Sequence, residues 1–295
     1  MSKIKLDKYY TPDEMIQICI DELSKVVDLK EYHVIEPSAG DGRWKPFLEE
    51  SRKLSLYDIE PDSDEVSQLD FIEDSLEVDG KSIFIGNPPF GKACSLAIKF
   101  FNKAASYKPD YIAYILPVSF GKRLTIRNKL SREYSVKVSV ELPEIHFEPN
   151  AQKGFYQAES SRLHCVFQIW ERKPRKNVVV PETNGYKIVR PSNHKILDEN
   201  GISREQPVGD IDVDFTIITH GTRAGQIVDF DGNVQKVSVC QFVKVDDDVC
   251  IEDIRRKFEE TDFSYFTGAN AISSQSSLST AEIICCVEGS DYKLM

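Results

Sequence analysis

The stretch Ser82-Ile83-Phe84-Ile85-Gly86-Asn87-Pro88-Pro89-Phe90-Gly91 joins an apolar run to an amide and two prolines. The run is typical of a buried strand, and proline cannot donate a hydrogen bond to a sheet, so the strand must end at Asn87. A polar turn at the carboxyl end of a strand is where open α/β sheets bind ligands. From these residues alone a second interpretation stays open, in which the turn is a stiff connection and Phe90 fills the core.

Short apolar segments before and after this stretch predict further strands of the same sheet. The candidate strands lie at 33–36, 54–60, 111–117, 135–142 and 164–170. Helices are predicted at 44–51, 95–106 and 122–137, and another begins near Thr11. Because strands alternate with helices, residues 1–176 are expected to form an α/β domain with a mostly parallel, doubly wound sheet.

The charged segment Arg172–Asn177 contains a proline and predicts a linker to a second domain at 177–295. Beyond it, strand-like segments separated by Asn, Gly and Asp turns predict a smaller, β-rich α+β module. These segments are 186–189, 215–219, 226–230 and 236–245, followed by a candidate helix at 251–260. A short closing helix at 281–287 has Ser279 or Thr280 as its candidate cap.

Composition limits the class of protein. The chain has 295 residues, of which 41% are apolar and 29% are charged, as in ordinary globular proteins. No apolar stretch approaches the roughly 20 residues of a membrane span, and the N-terminus lacks an apolar signal core, so we expect a soluble, cytoplasmic protein. The seven cysteines form no CxxC pair and the five histidines are scattered, so neither a disulfide nor a metal site is predicted.

The net charge of −11 is unevenly distributed along the chain. Residues 31–80 carry 4 Lys or Arg against 15 Asp or Glu, whereas residues 121–140 carry 6 basic side chains and 1 acidic one. A second basic cluster lies at Arg172–Lys176. Both a nucleic-acid-binding face and an ordinary solvated surface are consistent with this pattern.

Further polar residues lie at a helix start and at strand ends. Thr11 and Pro12 are typical of the first turn of a helix, with Thr11 as the candidate cap. Strand 33–36 runs into the small-residue turn Glu36–Gly42, which lets a ligand approach the backbone closely. About 20 residues later, Asp58 ends another strand at the position of the ribose-binding acid of nucleotide-binding folds.

Together with Asp70 and Phe71, these segments resemble the class I S-adenosylmethionine-dependent methyltransferases, and specifically the N6-adenine type with the gamma-like motif order. The resemblance covers residues 9–172 and implies a Rossmann-like methyltransferase fold with S-adenosylmethionine as cofactor. Asp70 would accept from the adenine amine of the cofactor, and Phe71 would pack on that ring. The matching motifs are YTP at 10–12, EPSAGDG at 36–42, Asp58, Asp70-Phe71 and NPPF at 87–90.

The resemblance also implies how the cofactor is bound. Thr11 and Pro12 would hold its carboxylate, and Glu36 would hold its amino group. Asp58 would bind the ribose hydroxyls, with Glu60 as the alternative because residues two apart face the same side of a strand. The implied cofactor-binding residues are Tyr10, Thr11, Pro12, Glu36, Pro37, Ser38, Ala39, Gly40, Asp58, Asp70, Phe71 and Asn87.

The catalytic residues implied by the resemblance are Asn87, Pro88, Pro89 and Phe90. An exocyclic adenine amine is a poor nucleophile because its lone pair is delocalised into the ring. Asn87 Oδ1 and the Pro88 carbonyl would accept its two hydrogens and aim the lone pair at the methyl group, while Phe90 stacks on the base. Neither a general base nor a metal is then required.

The implied substrate is an adenine flipped out of DNA and held by a second aromatic ring and by basic side chains. The candidate residues are Phe147, Phe155, Lys122, Arg123 and Arg223, with Tyr156 as an alternative to Phe155. The leading hypothesis is a DNA adenine-N6 methyltransferase of the kind found in restriction-modification. Methylation of RNA adenine, methylation of a protein glutamine, and a non-catalytic nucleic-acid-binding subunit remain as alternatives.

Overall fold

A computed structural model describes residues 9–91, 94–118, 120, 123–143, 148–149, 165–189, 195–197, 203–205, 212–229, 240–267 and 278–290. The chain divides into two compact units. The first comprises Met1–Gly121, Ile126–Asn177 and Leu294–Met295, and the second comprises Lys122–Thr125 and Val178–Lys293. None of the helices in the described ranges is long and apolar enough to cross a membrane.

The first unit is built on a sheet of seven strands. They are β2 (His33–Glu36), β3 (Lys53–Asp58), β4 (Ser67–Gln68), β5 (Ser82–Gly86), β6 (Tyr111–Pro117), β7 (Ser135–Glu141) and β9 (Cys165–Glu171), and a separate pair is formed by β1 (Tyr9–Tyr10) and β8 (Glu148–Pro149). The strand order is β4-β3-β2-β5-β6-β9-β7. All neighbours from β4 to β6 are parallel, and β9 runs antiparallel to β6 and β7. The predicted fold class, a mostly parallel and doubly wound Rossmann-like sheet, is confirmed.

The order of the strands places a topological switch point between β2 and β5, and the region outside the carboxyl ends of these two strands is called the crevice below. From β2 the chain moves outward to β3 and β4, and from β5 it moves in the opposite direction to β6. Open α/β sheets bind ligands at such a switch point, outside the carboxyl ends of the strands. Glu36 ends β2 and Asn87 directly follows β5, so both residues lie at this point.

Helices cover both faces of the sheet. α1 (Asp13–Ser24) and α2 (Lys45–Leu48) pack on one face, and α3 (Ser95–Ser106) packs on the other. Alternate residues of β5 join the two apolar clusters: Ile83 and Ile85 lie on the α1 side, and Phe84 lies on the α3 side. A strand buried on both faces needs apolar residues at every position, which explains the continuous apolar run before Asn87.

The predicted helix at 122–137 is wrong. Of the described residues in that segment, only α4 (Leu124–Arg127) is helical. Nη2 of Arg175 donates to the main-chain carbonyls of Arg127 at 2.7 Å and Leu130 at 3.1 Å. A longer helix would use these carbonyls for its own N–H groups, so a side chain distant in sequence ends the helix against its local preference.

The second unit has its own antiparallel sheet of four strands. In spatial order these are β10 (Tyr186–Val189), β15 (Cys240–Val245), β13 (Phe215–Ile218) and β14 (Ile227–Asp229), and a separate hairpin is formed by β11 (Lys195–Leu197) and β12 (Ser203–Glu205). The helices are α5 (Ile251–Glu259), α6 (Ser264–Thr267) and α7 (Thr280–Val287). Ser279, one of the two predicted caps, begins α7 with a capping box. The unit has the β-rich α+β composition that was predicted.

Candidate functional site

Glu36 is a buried carboxylate at the switch point. Its side chain is 1% exposed, and Oε2 has no hydrogen-bond partner within the part of the chain that the structure describes. Burial raises the pKa of this carboxyl well above its ordinary value, and the negative charges of Asp58 and Asp41 raise it further. No group of three or more His, Cys, Asp or Glu side chains in the described ranges could hold a metal ion. A buried acceptor without a partner is costly, so Oε2 is suited to a donor from a ligand, most favourably an organic cation.

Gly86 makes room for the Glu36 side chain. It ends β5 with a φ of +133°, a conformation that other residues rarely adopt. A Cβ at this position would lie 3.0 Å from Glu36 Cγ and 3.2 Å from Oε1. The site therefore requires glycine for its backbone conformation and for the close approach of Glu36.

The side chain of Asn87 is held at one end and open at the other. Nδ2 donates to Thr11 Oγ1 at 3.3 Å, and the Ser38 hydroxyl donates to the main-chain carbonyl of Asn87 at 3.4 Å. Oδ1 is buried and has no hydrogen-bond partner among the described residues. The amide thus offers a free acceptor one residue beyond the end of β5.

Thr11 contributes to this site, and the prediction that it caps α1 is wrong. Pro12 occupies the N-cap position, and no side chain makes a capping hydrogen bond there. Because Pro12 is itself the residue that precedes the helix, Thr11 lies one position too far out to reach the free N–H groups of the first turn. Its side chain is 3% exposed, and its hydroxyl accepts from Asn87 instead.

The turn after β2 is closed by Asp58, the buried last residue of β3. Its Oδ2 accepts from the Gly40 N–H at 2.9 Å, and its Oδ1 accepts from the Glu60 N–H at 2.9 Å. Gly40 has a φ of +58°, and a Cβ there would lie 3.0 Å from a ring carbon of Tyr10. Asp58 thus ties the glycine turn after β2 to the segment after β3. The side chain of Glu60, the alternative acid, is exposed.

Arg43, which the sequence did not single out, joins the segment around Thr11 to the glycine turn. Its guanidinium donates to Asp41 (Nη2 to Oδ2, 2.9 Å) and to the main-chain carbonyl of Thr11 (Nη1, 3.3 Å). It also lies 4.8 Å from the ring centroid of Tyr10, whose hydroxyl donates to Asp62 at 2.6 Å. Burial and then this bond to Asp62 raise the pKa of Tyr10, so its hydroxyl stays protonated. These contacts hold two predicted cofactor-binding segments together.

The structure does not bring the ring of Phe71 to the crevice. It is 2% exposed and packs in the core, with its centroid 5.7 Å from that of Phe84 and 5.2 Å from that of Phe100. The neighbouring Asp70 uses Oδ1 to accept from the N–H groups of Ile72 at 3.0 Å and Glu73 at 3.3 Å. Phe71 therefore supports the sheet from within, and Asp70 shapes the turn that follows β4.

The Pro-Pro-Phe turn is fixed to the start of α3. Pro88 is buried, and Pro89 and Phe90 are half-buried. The main-chain carbonyl of Phe90 accepts from the N–H groups of Leu96 at 3.1 Å and Ala97 at 3.2 Å. Its ring packs against the edges of both apolar clusters. The turn is thus rigid while part of the Phe90 ring stays accessible.

Tyr114 is a further buried polar side chain that the sequence analysis missed. It lies opposite Gly86 where β6 pairs with β5. Its Oη has no hydrogen-bond partner among the described residues, and burial followed by the charge of Glu36 raises its pKa. The sequence feature that could have revealed it is a tyrosine inside an otherwise apolar strand. Three neighbouring strands, β2, β5 and β6, thus each bring an unpartnered polar atom into the same part of the first unit.

Two of the predicted substrate-binding residues lie within the described chain, both in the second unit. Arg123 precedes α4, and its positive charge adds to burial in lowering the pKa of His220. Arg223 is exposed at the end of a short 3-10 helix, and its Nε donates to Gln226 Oε1 at 2.9 Å. The other candidates, which lie outside the described residues, are Lys122, Phe147, Phe155 and Tyr156.

No family model and no curated protein matches this chain. Among solved structures, a protein described as a candidate RNA methyltransferase from Pyrococcus horikoshii is 17% identical, with 58% of this chain and 91% of that chain covered and a TM-score of 0.43. The 23S rRNA methyltransferase ErmE is 15% identical over 57% of this chain and 71% of its own, with a TM-score of 0.38. A methyltransferase subunit of a type I restriction-modification system from Streptococcus thermophilus is 14% identical over 59% of this chain and 47% of its own, with a TM-score of 0.37. Because these scores are low, the fold class stated above is based on the order and directions of the strands.

Proposed function

We propose that this protein is a methyltransferase that uses S-adenosylmethionine to methylate the N6 amine of adenine in DNA. The observation that carries the proposal is the buried Oδ1 of Asn87, an acceptor with no partner among the described residues at the carboxyl end of β5. An exocyclic amine of a base offers two hydrogens in the plane of the ring, and an amide oxygen can accept one of them. The residues that follow, Pro88, Pro89 and Phe90, complete the resemblance to N6-adenine methyltransferases.

The chemistry of the crevice fits this cofactor. Glu36 Oε2 is suited to accept from the ammonium group of the methionine part, and a cation there would lower the pKa that burial raises. The Thr11 hydroxyl can donate to the carboxylate, and the resemblance assigns the ribose hydroxyls to Asp58, which lies at the end of β3.

The residues of the turn perform the activation of the amine. When bound, S-adenosylmethionine supplies a methyl group on a positively charged sulfur. Asn87 Oδ1 accepts one hydrogen of the target amine and the Pro88 carbonyl accepts the other, which draws the nitrogen toward tetrahedral geometry and directs its lone pair at the methyl carbon. Transfer would form the N–C bond as the C–S bond breaks, and the amine would then lose one proton to solvent. Phe90 stacks on the base and keeps it in place.

Basic side chains and the additional unit support DNA as the substrate. Residues 121–140 carry 6 basic side chains against 1 acidic one, in a protein of net charge −11. Arg123 and the exposed Arg223 suit contacts to phosphates or to the edge of a guanine. A base inside a duplex cannot reach a crevice at the end of a sheet, so duplex DNA requires flipping of the target base.

The proposal is tested by transfer of labelled methyl groups from S-adenosylmethionine to unmethylated DNA, to RNA and to a protein extract, followed by nucleoside analysis. We expect N6-methyldeoxyadenosine. Label found only in RNA, or only in protein, would show that RNA or protein is the substrate and that DNA is not. The absence of both cofactor binding and label would refute the methyltransferase proposal.

Substitution of Asn87 separates chemistry from binding. Asn87→Ala removes the free acceptor and is expected to abolish transfer while the cofactor dissociation constant stays nearly unchanged. Asn102→Ala is the matched control, because both ends of the Asn102 amide are hydrogen-bonded. Its Nδ2 donates to the Lys129 carbonyl at 2.9 Å, and its Oδ1 accepts from the Ser131 N–H at 2.8 Å. Loss of cofactor binding together with transfer in Asn87→Ala would mean that the turn is only structural.

A further inference from the structure

The orientation of the Asn87 amide matters for the proposed reaction. Oδ1 and Nδ2 are nearly equal in size, so the shape of a pocket does not distinguish an amide from the same amide turned by 180°. Only hydrogen bonds can decide which atom faces the ligand. A turned amide would present two donors to the target amine, which itself needs acceptors, and the site would repel its substrate.

Among the residues that the structure describes, one side chain bonds to this amide. Nδ2 donates to Thr11 Oγ1 at 3.3 Å, and Oδ1 has no partner in the described ranges. Ser38 also contacts Asn87, but its hydroxyl donates to the main-chain carbonyl at 3.4 Å and leaves the amide free to turn. A hydroxyl can accept from Nδ2 or donate to Oδ1 of the turned amide, so the choice between acceptor and donor at the end of β5 depends on where the hydrogen of the Thr11 hydroxyl is engaged.

The Thr11 hydroxyl is itself held in place. Its side chain is buried, and its main-chain carbonyl accepts from Arg43 Nη1 at 3.3 Å. Arg43 in turn is bound to Asp41 in the glycine turn, with Nη2 and Oδ2 2.9 Å apart. On the other side, the Pro12 carbonyl accepts from the N–H of Met15 at 2.9 Å, at the start of α1. These contacts hold the Thr11 oxygen in place, while its hydroxyl hydrogen can rotate toward Asn87 or toward a ligand.

We infer that Thr11 is a positioning residue that couples an anionic ligand group to the orientation of Asn87. A hydroxyl has one hydrogen to donate and two lone pairs. While Oγ1 accepts from Asn87, its hydrogen is available to the carboxylate that the proposed function assigns to this place, so the inference rests on that function. Donation to an anion makes the hydroxyl oxygen a stronger acceptor, because bonds in a chain polarise one another. Occupancy by the cofactor thereby strengthens the bond that keeps Oδ1 free for the base.

The first test observes the amide directly. Protein labelled with 15N-asparagine gives a side-chain resonance pair for Asn87, assigned by its loss in Asn87→Ala. Addition of S-adenosylhomocysteine is expected to shift the hydrogen-bonded proton in wild type and in Thr11→Ser, which keeps the hydroxyl. In Thr11→Val, which keeps the shape, the shift should be absent. Ser51→Ala is the control: it removes a hydroxyl that donates to the Leu48 carbonyl, outside the proposed binding residues, and should leave the response of the amide intact.

The second test distinguishes an effect on ligand binding from an effect on turnover. Thr11→Val is expected to lower kcat by about tenfold, the value of one hydrogen bond, and by more if the amide turns. Thr11→Ser should restore most of the loss, which a purely steric role would not explain. Equal amide resonances in wild type and Thr11→Val, with and without ligand, would overturn the inference. If calorimetry finds no binding of S-adenosylhomocysteine to the wild type, the proposed function fails. The Asn87 side-chain resonances of ligand-free wild type and Thr11→Val then decide whether Thr11 positions Asn87.

Discussion

Glu36 is the fully buried carboxyl group at the switch point, and its pKa is raised. Burial, followed by the charges of Asp58 and Asp41, raises its pKa and so disfavours the charged form in the folded protein. A carboxyl with a raised pKa contributes stability that is fully present below its ordinary pKa and is lost as pH rises toward the folded value. In Glu36→Gln this loss is removed, so at neutral pH the variant without ligand should be more stable than wild type, by about 1–3 kcal/mol.

The affinity for the cofactor should change in the opposite direction. A charge-assisted bond contributes about 1.5–3 kcal/mol, so Glu36→Gln is expected to bind S-adenosylmethionine roughly 10- to 100-fold more weakly. Thermal unfolding across pH and calorimetric titration measure the two effects. Glu31→Gln, which changes an exposed carboxylate paired with Lys81, serves as the control. A variant that gains no stability and binds as wild type would show that Glu36 does not hold a cation.

The roles of some site residues can be predicted from the sequence, and those of others cannot. The turn at Asn87 is visible because two prolines must end a strand, and this depends only on neighbours in the chain. Arg43 is not visible, because its role arises from contacts with Thr11, 32 residues away, which exist only once β2 and α1 have folded. Tyr114 is hidden for the same reason: its burial beside Glu36 depends on the pairing of β6 with β5.

At the scale of elements, the end of α4 depends on Arg175. Arg175 is half-buried, and this burial, followed by the charges of Arg127 and Arg132, lowers its pKa to about 10. Arg175→Ala leaves two carbonyls without this donor, so it should lower the free energy of unfolding by about 2 kcal/mol. Arg172→Ala is the control, because Arg172 makes only a half-exposed ion pair with Asp110. Equal urea midpoints for the two variants would contradict the role assigned to Arg175.

Helices and strands were predictable where the local apolar pattern and the tertiary contacts favour the same structure. Helix 95–106 and strand 111–117 occur at the predicted residues, because an apolar stripe and a buried run meet no competing hydrogen bonds. The helix at 44–51 is shorter, with only Lys45–Leu48 helical. The helix at 122–137 fails because Arg175 and Asn102 bond to the backbone where the helix would continue. A local pattern cannot include a partner that lies far away in the chain.

At the scale of the whole molecule, the alternation of strands and helices was sufficient for a mostly parallel sheet, because parallel neighbours require crossovers. The reversed direction of β9 was not predictable in this way. Its apolar run, Cys165–Trp170, has the same composition as a parallel core strand. Apolar periodicity reports which faces are buried but carries no information about strand direction.

The proposed affinity of the molecule for nucleic acid leads to a prediction about salt. Each phosphate contact releases counterions, so removal of one arginine that binds a phosphate should reduce the slope of log affinity against log salt by about 1. Arg223→Ala is expected to show this reduction and a similar loss of affinity for all DNA sequences. Filter binding to a short duplex at several salt concentrations measures both. A loss confined to one sequence would instead indicate that Arg223 contacts a base.

Stability of the whole molecule should also depend on pH through His33, at the start of β2. The ring is buried; Nε2 lies 2.8 Å from Ser55 Oγ, and Nδ1 accepts from the Asp79 N–H at 3.2 Å. Because Nδ1 accepts, the folded state requires the neutral ring, and burial lowers its pKa to about 4 from 6.5. A lowered pKa means that the unfolded chain binds the proton more tightly, so stability is fully present above pH 6.5 and is lost as pH falls toward 4. The shift corresponds to at most roughly 3 kcal/mol.

Thermal unfolding of wild type and His33→Gln between pH 4 and 7 should show a steeper decline of stability in wild type. Parallel profiles would mean that His33 does not contribute to acid unfolding.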